Sequence, residues 1–270
     1  MVLASPRQTP RAPASRLAVT ADATVDVALV LAIDVSGSVS QDRLMLQRRG
    51  YSDALCHPGF AEAVRSGPAG RVALTFVQWS EARRQEQSVA WRLIDDAATA
   101  RRFAQAITDA DLPMPGWTSI SAAIDYSARL IASSGLTAGR KVIDVSGDGS
   151  NNDGRDVTAA RDDAVAAGIT VNGLPIVEVE PGLDEYYRRN VIGGPGAFVV
   201  VARDIGSFAE AVLRKLLVEV AYTSPAPAGE VKTKLHGFFR RVRGGGRACG
   251  SAVPASPARR AGPASRHSRW

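Results

Sequence analysis

Three short stretches of this chain hold oxygen side chains at spacings that suit a hard cation. In Asp34-Val35-Ser36-Gly37-Ser38 a carboxylate and two hydroxyls stand at alternate positions, and Gly37 lets the stretch fold back tightly. Pro115-Gly116-Trp117-Thr118-Ser119 contributes the hydroxyl of Thr118, and Gly147-Asp148-Gly149 a second carboxylate. Each has a plainer reading on its own. Ser38 followed by Gln41 fits a capping box, in which a side chain and a backbone amide at a helix start satisfy each other. For that pentapeptide alone, cap and metal site stand level. The other two read singly as a helix start and a turn. Together the three offer two carboxylates and three hydroxyls. That donor set suits Mg²⁺ or Mn²⁺, which take oxygen ligands octahedrally at about 2.0–2.2 Å.

The set assembles only if the flanking elements deliver all three stretches to one edge. Val25–Ile33 is a nearly continuous apolar run ending at Asp34, as expected of a strand buried on both faces. Further strands are predicted at Arg71–Trp79, Lys141–Ser146, Ile169–Ile176 and Ala197–Val201, with Gln87–Leu93 as an antiparallel edge neighbour. Helices are predicted at Gln41–Leu55 with a continuation to Ser66, and at Ala97–Ala110, Ser119–Ser133, Val157–Ala167, Asp184–Val191 and Ile205–Ala221. Alternation with short connections predicts a Rossmann-like α/β fold: an open, mostly parallel six-stranded sheet with one antiparallel edge strand and helices on both faces. Such sheets bind ligands beyond the C-terminal ends of their strands, where the three stretches fall.

Asp34-x-Ser36-x-Ser38, then Thr118, then Asp148 before a glycine resembles the metal-ion-dependent adhesion site of von Willebrand factor A domains. The likeness spans about Val25–Ala221. More narrowly, Val142-Ile-Asp-Val-Ser-Gly-Asp-Gly149 and Ala167-Gly-Ile-Thr-Val-Asn-Gly-Leu-Pro175 resemble an uncharacterised bacterial branch of that superfamily. The resemblance implies direct coordination by Ser36 and Ser38, with Thr118 joining when ligand is bound. Asp34 and Asp148 would act through waters or as alternate ligands. The remaining position would go to a Glu or Asp carboxylate of a partner protein, which makes the domain a binding module rather than an enzyme.

Two positions depart from the expected pattern. Where the family usually has a Gly-Gly-Thr turn, Trp117 precedes Thr118. Its indole either packs under the turn or faces the ligand as an aromatic anchor. Asp144 stands inside an otherwise apolar strand, and alternation puts residues 144, 146 and 148 on one side. A buried charge must be paired. Arg140 or another basic group, or a bond to Thr75, is one account of Asp144. The other is a supporting role, orienting Ser146 and the waters of the metal.

Composition narrows the alternatives. The chain has 270 residues, 45% hydrophobic and 22% charged, and no apolar run approaches the roughly 18–20 residues that a membrane-spanning helix needs. Its two cysteines, Cys56 and Cys249, form at most one bridge and cannot staple a scaffold. The net charge of +6 belongs to the ends. Residues 1–24, rich in Pro, Ala, Ser and Arg, carry three Arg against Asp22. Residues 222–270, rich in Pro, Ala, Gly and Arg, carry ten Lys and Arg against Glu230. Both are expected to be disordered arms around one domain, residues 25–221, which holds 20 basic and 25 acidic residues. Nucleic acid or an anionic surface could be met only through residues 222–270, where Phe238 and Phe239 mix with Arg240, Arg241 and Arg243. A metal-dependent hydrolase is the remaining alternative, but none of His57, His236 and His267 is placed to serve as its base. The stretch from Asp148 to Asp156, rich in Asn, Asp and Gly, does not match the spacing of a calcium loop and reads as a loop and helix start. As written the chain shows no secretory signal and reads as cytoplasmic. Relatives in the resembled branch commonly have such a signal, which would place this protein outside the cytoplasm if its start codon is mis-assigned. With 29 Arg to 4 Lys, the chain looks like the product of a GC-rich bacterial genome.

Overall fold

The computed structural model describes residues 23–111 and 116–221. The expectations for both arms, for Pro115 and for Cys249, His236 and His267 fall outside them. The apolar run of the first strand pairs on both sides. It forms β1 (Thr24–Asp34), the centre of the sheet, between β2 (Val72–Trp79) and β4 (Thr137–Gly147), both parallel to it. Outside these lie β3 (Gln85–Ile94), antiparallel to β2 as expected, and β5 (Ile169–Pro175), parallel to β4. The order is β3-β2-β1-β4-β5.

Among the described residues the sheet has five strands, not six. The segment predicted as a last strand does run parallel beside β5. There Gly173 N donates to Phe198 O, Val200 N to Gly173 O and Ala202 N to Pro175 O. These remain isolated bridges at Val199 and Ala202. A continuous ladder would next need residue 175 to donate to Val200 O, and Pro175 has no N–H.

Alternation divides the side chains of the sheet between two helical layers. Leu29, Leu31, Ile33, Phe76 and Val142 face α1 (Gln41–Cys56), α2 (Pro58–Arg65), α3 (Ala97–Asp109) and α7 (Phe208–Ala221). Val30, Ala32, Val77, Ile143 and Val145 face α4 (Ile120–Ala132) and α5 (Val157–Ala166). The second layer also includes α6 (Leu183–Tyr186), which runs on into one π turn, Tyr187–Val191. His57 closes the gap between α1 and α2, its Nδ1 accepting from Gly59 N at 3.1 Å.

The register pairs Leu31 with Asp144 and Ile33 with Ser146, so both polar side chains of β4 turn to the α1 and α7 layer. Asp144 meets Lys215 of α7, with Nζ 2.8 Å from Oδ1. Neither Arg140 nor Thr75 is its partner: Arg140 donates to the Glu219 carbonyl, and the Thr75 hydroxyl donates to Val89 O. Lys215 also lies 2.5 Å from Glu219 Oε1, which accepts from Asn172 Nδ2 at 3.1 Å. One ammonium thus serves two carboxylates, all of them within the core. Burial raises the Asp144 carboxyl from its ordinary 3.8 to about 7 against the pull of Lys215, and Glu219 adds to the rise. For Lys215, burial acts downward, but Asp144 and Glu219 more than reverse it and hold the ammonium above its usual value.

The folded state therefore favours protonated Asp144. That contribution to stability is fully present below pH 3.8 and is lost as the pH rises through about 7. Urea unfolding between about pH 5 and pH 8 should show stability falling, with a shallower fall in Asp144→Asn. An identical slope in the variant would locate the titration elsewhere.

Candidate functional site

β1 ends by carrying Asp34 out of reach of water at the top of the sheet. The chain then turns sharply, and Asp34 Oδ1 accepts from Ser36 N at 2.7 Å. Asp34 Oδ2 is buried and has no hydrogen-bond partner. Ser36 Oγ lies 3.1 Å from Ser38 Oγ, whose hydroxyl donates to Asp148 Oδ1 at 2.5 Å. Ser38 does not cap α1, contrary to the plainer sequence reading: the cap is Ser40, whose hydroxyl accepts from Arg43 N. Four of the five predicted residues are therefore linked, Ser36, Ser38 and Asp148 through their side-chain oxygens and Asp34 through the Ser36 amide. This linkage crosses the crevice between the loops after β1 and β4, where the chain leaves the sheet in opposite directions. Burial raises the Asp34 carboxyl to about 7; its hydrogen bonds from Ser36 oppose the rise, and the charge of Asp148 adds to it.

Thr118 arrives from the other side and is held by its backbone. Gly37 N donates to Gly116 O at 2.8 Å, and Ser119 N to Ser80 O at 2.8 Å. Asn152 clamps Thr118 at both ends of its peptide: its Oδ1 accepts from Thr118 N at 2.9 Å, and its N donates to Thr118 O at 2.9 Å. Asn151 Oδ1 accepts from Ser121 N at 2.9 Å, satisfying an amide at the start of α4 where Ser119 provides no side-chain cap. Asp153 O accepts from Ser119 Oγ, and Asp153 Oδ2 from Ala82 N. The Asn- and Asp-rich stretch read from sequence as a plain loop is the clamp of the Thr118 segment. Pattern reasoning missed it because no regular spacing marks a residue whose partners lie 30 positions or more away. Thr118 Oγ1 sits beside Gly149, but it makes no hydrogen bond to the other four residues.

Trp117 does not pack under the turn. It is 67% exposed, beside a Thr118 that is buried. Buried Arg48 reaches from α1 to the carbonyls of Ala110 and Asp111, at 2.6 Å each, and fixes the chain that leads towards this segment. Ser146 and Asp144 point away from the crevice. The Ser146 hydroxyl accepts from Tyr51 at a long 3.5 Å, and Asp144 goes to Lys215.

Four further residues stand at the site without having been singled out in the sequence. Arg43 of α1 lies 3.5 Å from Asp148 Oδ2 and pairs with Glu178, which also accepts from Ile205 N. Glu180 accepts from Ser150 N at 2.8 Å and borders the same space as Thr118 Oγ1, next to Gly149. Tyr187 stands below Asp34, with burial first, then Asp34 and Asp148, raising its phenol well above the usual range. Among the described residues there is no cluster of three or more His, Cys, Asp and Glu side chains that could hold a metal, here or elsewhere; the crevice brings together two carboxylates and hydroxyls instead. The donors in the crevice are hard oxygens, and one of them is a buried carboxylate oxygen left unpartnered. That chemistry fits a small divalent cation, which would offset the charge that burial otherwise penalises.

A family model described as "Protein of unknown function (DUF1194)" matches residues 24–224. No curated protein matches the chain. Among solved structures, the vWF domain of the type V pili tip protein Mfa5 from Porphyromonas gingivalis superposes with a TM-score of 0.53 at 12% identity, over 76% of this chain and 98% of that one. Proximal thread matrix protein 1 from the mussel byssus, in the structure with a zinc-occupied MIDAS motif, gives 0.51 at 15% identity, over 74% and 49%. A von Willebrand factor type A protein from Catenulispora acidiphila gives 0.51 at 17%, over 73% and 43%. The chain spans about half the length of the mussel protein. These likenesses establish the fold.

The clamp can be tested without any ligand. Asn152→Ala leaves the Thr118 amide without its acceptor and should cost about 1–3 kcal/mol in chemical unfolding. A variant as stable as the wild type would mean that this bond contributes nothing to holding the segment.

Proposed function

This chain belongs to the DUF1194 family, whose fold is that of a von Willebrand factor A domain, and we propose that it is a non-enzymatic, divalent-metal-dependent protein-binding module. The observation that carries this reading is the linked chain Ser36–Ser38–Asp148 beside the unpartnered buried oxygen of Asp34. Asp34, Ser36, Ser38, Thr118 and Asp148 are the proposed metal set, with Mg²⁺ or Mn²⁺ as the ion favoured by an all-oxygen shell. When bound, the cation would supply a directional positive position for an acidic side chain of a partner protein. Ser36 and Ser38 would present their hydroxyls to it, while the Ser36 amide keeps Asp34 oriented.

The zinc in the mussel protein's structure supports divalent-cation binding here as a class. Trp117, exposed beside Thr118, is proposed as the apolar contact for the same partner, because a rigid indole buries a large area with few torsions to fix. Glu180 lies beside the site and outside the metal set. Its carboxylate accepts from the Ser150 amide, which suits loop anchoring better than acting as a general base.

Adding Mg²⁺ or Mn²⁺ should raise the unfolding free energy by about 2.7 kcal/mol at one hundred times the dissociation constant, and Ser36→Ala or Asp148→Ala should remove that gain. If calorimetry detects neither heat nor a thermal shift at millimolar metal, the three stretches are caps and turns. Trp117→Ala should leave metal affinity unchanged but weaken capture of a metal-dependent partner by roughly tenfold or more. Equal partner binding by both proteins would remove Trp117 from the contact surface.

A further inference from the structure

Tyr187 is placed by an unusual amount of fitted structure. It opens the π turn Tyr187–Val191, a rare backbone form that recurs at functional sites. Its ring fills a slot cut by a glycine in β5: a Cβ at Gly173 would stand 2.7 Å from Tyr187 Cδ1. The hydroxyl then passes over Gly147, the last residue of β4. A Cβ there would stand 2.9 Å from the Tyr187 hydroxyl and 2.9 Å from Asp34 Oδ2. Two glycines in neighbouring strands thus clear the way for one phenol.

The Tyr187 hydroxyl and Asp34 Oδ2 are both fully buried, and neither has a hydrogen-bond partner. Since both lie 2.9 Å from the same point, the space between them is no wider than two hydrogen bonds laid end to end. Phenylalanine would fill the same slot and bring no polar atom into the core. A buried hydroxyl without a partner carries a desolvation penalty, so packing alone does not account for tyrosine here.

We infer that Tyr187 is a positioning residue for Asp34, donating its O–H through one bridging water to Oδ2 and so fixing the carboxylate against the proposed metal from below. A carboxylate oxygen has two acceptor positions, so Oδ2 can take this donor and still face the ion. The Ser36 amide holds Oδ1 and Tyr187 holds Oδ2, which leaves the carboxylate little freedom to rotate. Supporting partners of this kind are worth roughly tenfold or more in metal affinity.

The inference rests on the metal set proposed above, and its test separates the two. Mn²⁺ affinity by titration calorimetry and the melting temperature of the metal-free protein are measured for wild type, Tyr187→Phe and Tyr51→Phe. Tyr51 is equally buried, but its hydroxyl lies on the opposite face of the sheet, 3.5 Å from Ser146. Tyr187→Phe should bind Mn²⁺ about tenfold more weakly while the metal-free variant stays folded, with a melting temperature level with or slightly below that of the wild type. Tyr51→Phe should bind Mn²⁺ like the wild type. Unchanged Mn²⁺ affinity in Tyr187→Phe, or a parallel loss in Tyr51→Phe, overturns the positioning role while leaving the metal set standing. Failure of the wild type to bind Mn²⁺ at all overturns both.

Discussion

Everything at the top of this sheet is arranged around a carboxylate that has been taken out of water. Asp34 ends the central strand with no exposure, and only one of its oxygens is bonded, to the amide two residues on. In a low-dielectric setting the ionised form is costly, and burial pushes the group up to about 7 in response. Removing that cost requires a cation, a proton or well-aimed donors. The Ser36 amide meets part of that requirement, the Tyr187 phenol stands close by, and the hydroxyls of Ser36 and Ser38 border the same crevice, while the charge of Asp148 adds to the cost.

Asp144, buried in the other layer beside Glu219, is handled differently. Asp148, four residues on, follows the end of β4 and so leaves the face that alternation assigned to both. Register and pleat send Asp144 to the opposite layer. There a lysine from the closing helix offsets part of the cost within the chain, although burial still holds the carboxyl at about 7. Arg43 is the cation near Asp34's neighbour Asp148, but at 3.5 Å from it and paired more closely with Glu178. One carboxylate is partly compensated internally and the other faces a site open to solvent at Ser38. That contrast is why Asp34 is included in the proposed metal set and Asp144 is not.

Rigidity at the crevice comes mainly from backbone bonds rather than from the oxygen groups themselves. Asn152 grips both ends of the Thr118 peptide, Gly37 is tied to Gly116, and Ser119 to Ser80. The three stretches are therefore held by contacts that do not consume the side chains proposed to bind metal. The hydroxyls of Ser36 and Ser38 stay in contact with one another, and Trp117 projects into solvent between two anchored residues.

The strand periodicity, the apolar run before Asp34 and the five oxygen residues were legible in the sequence, because local pattern and spacing carry them. Alternation likewise placed Asp144 and Ser146 on one face. The pairing of Asp144 with Lys215 was not legible, since 71 residues separate partners that only the docking of α7 brings together. Nor was the loss of a sixth strand: Pro175 was plain to see, but its missing N–H matters only once residues 198–202 lie alongside it. Ser38 shows the limit most clearly. Its spacing to Gln41 satisfied a capping rule, yet Ser40 caps the helix and the Ser38 hydroxyl goes to Asp148, 110 residues away. By itself, the sequence determined which chemical groups are present and which strands end beside them, because those depend on neighbours along the chain. The tertiary structure decided which groups meet, because hydrogen bonds and ion pairs form over a few ångströms of space, whatever the distance in sequence.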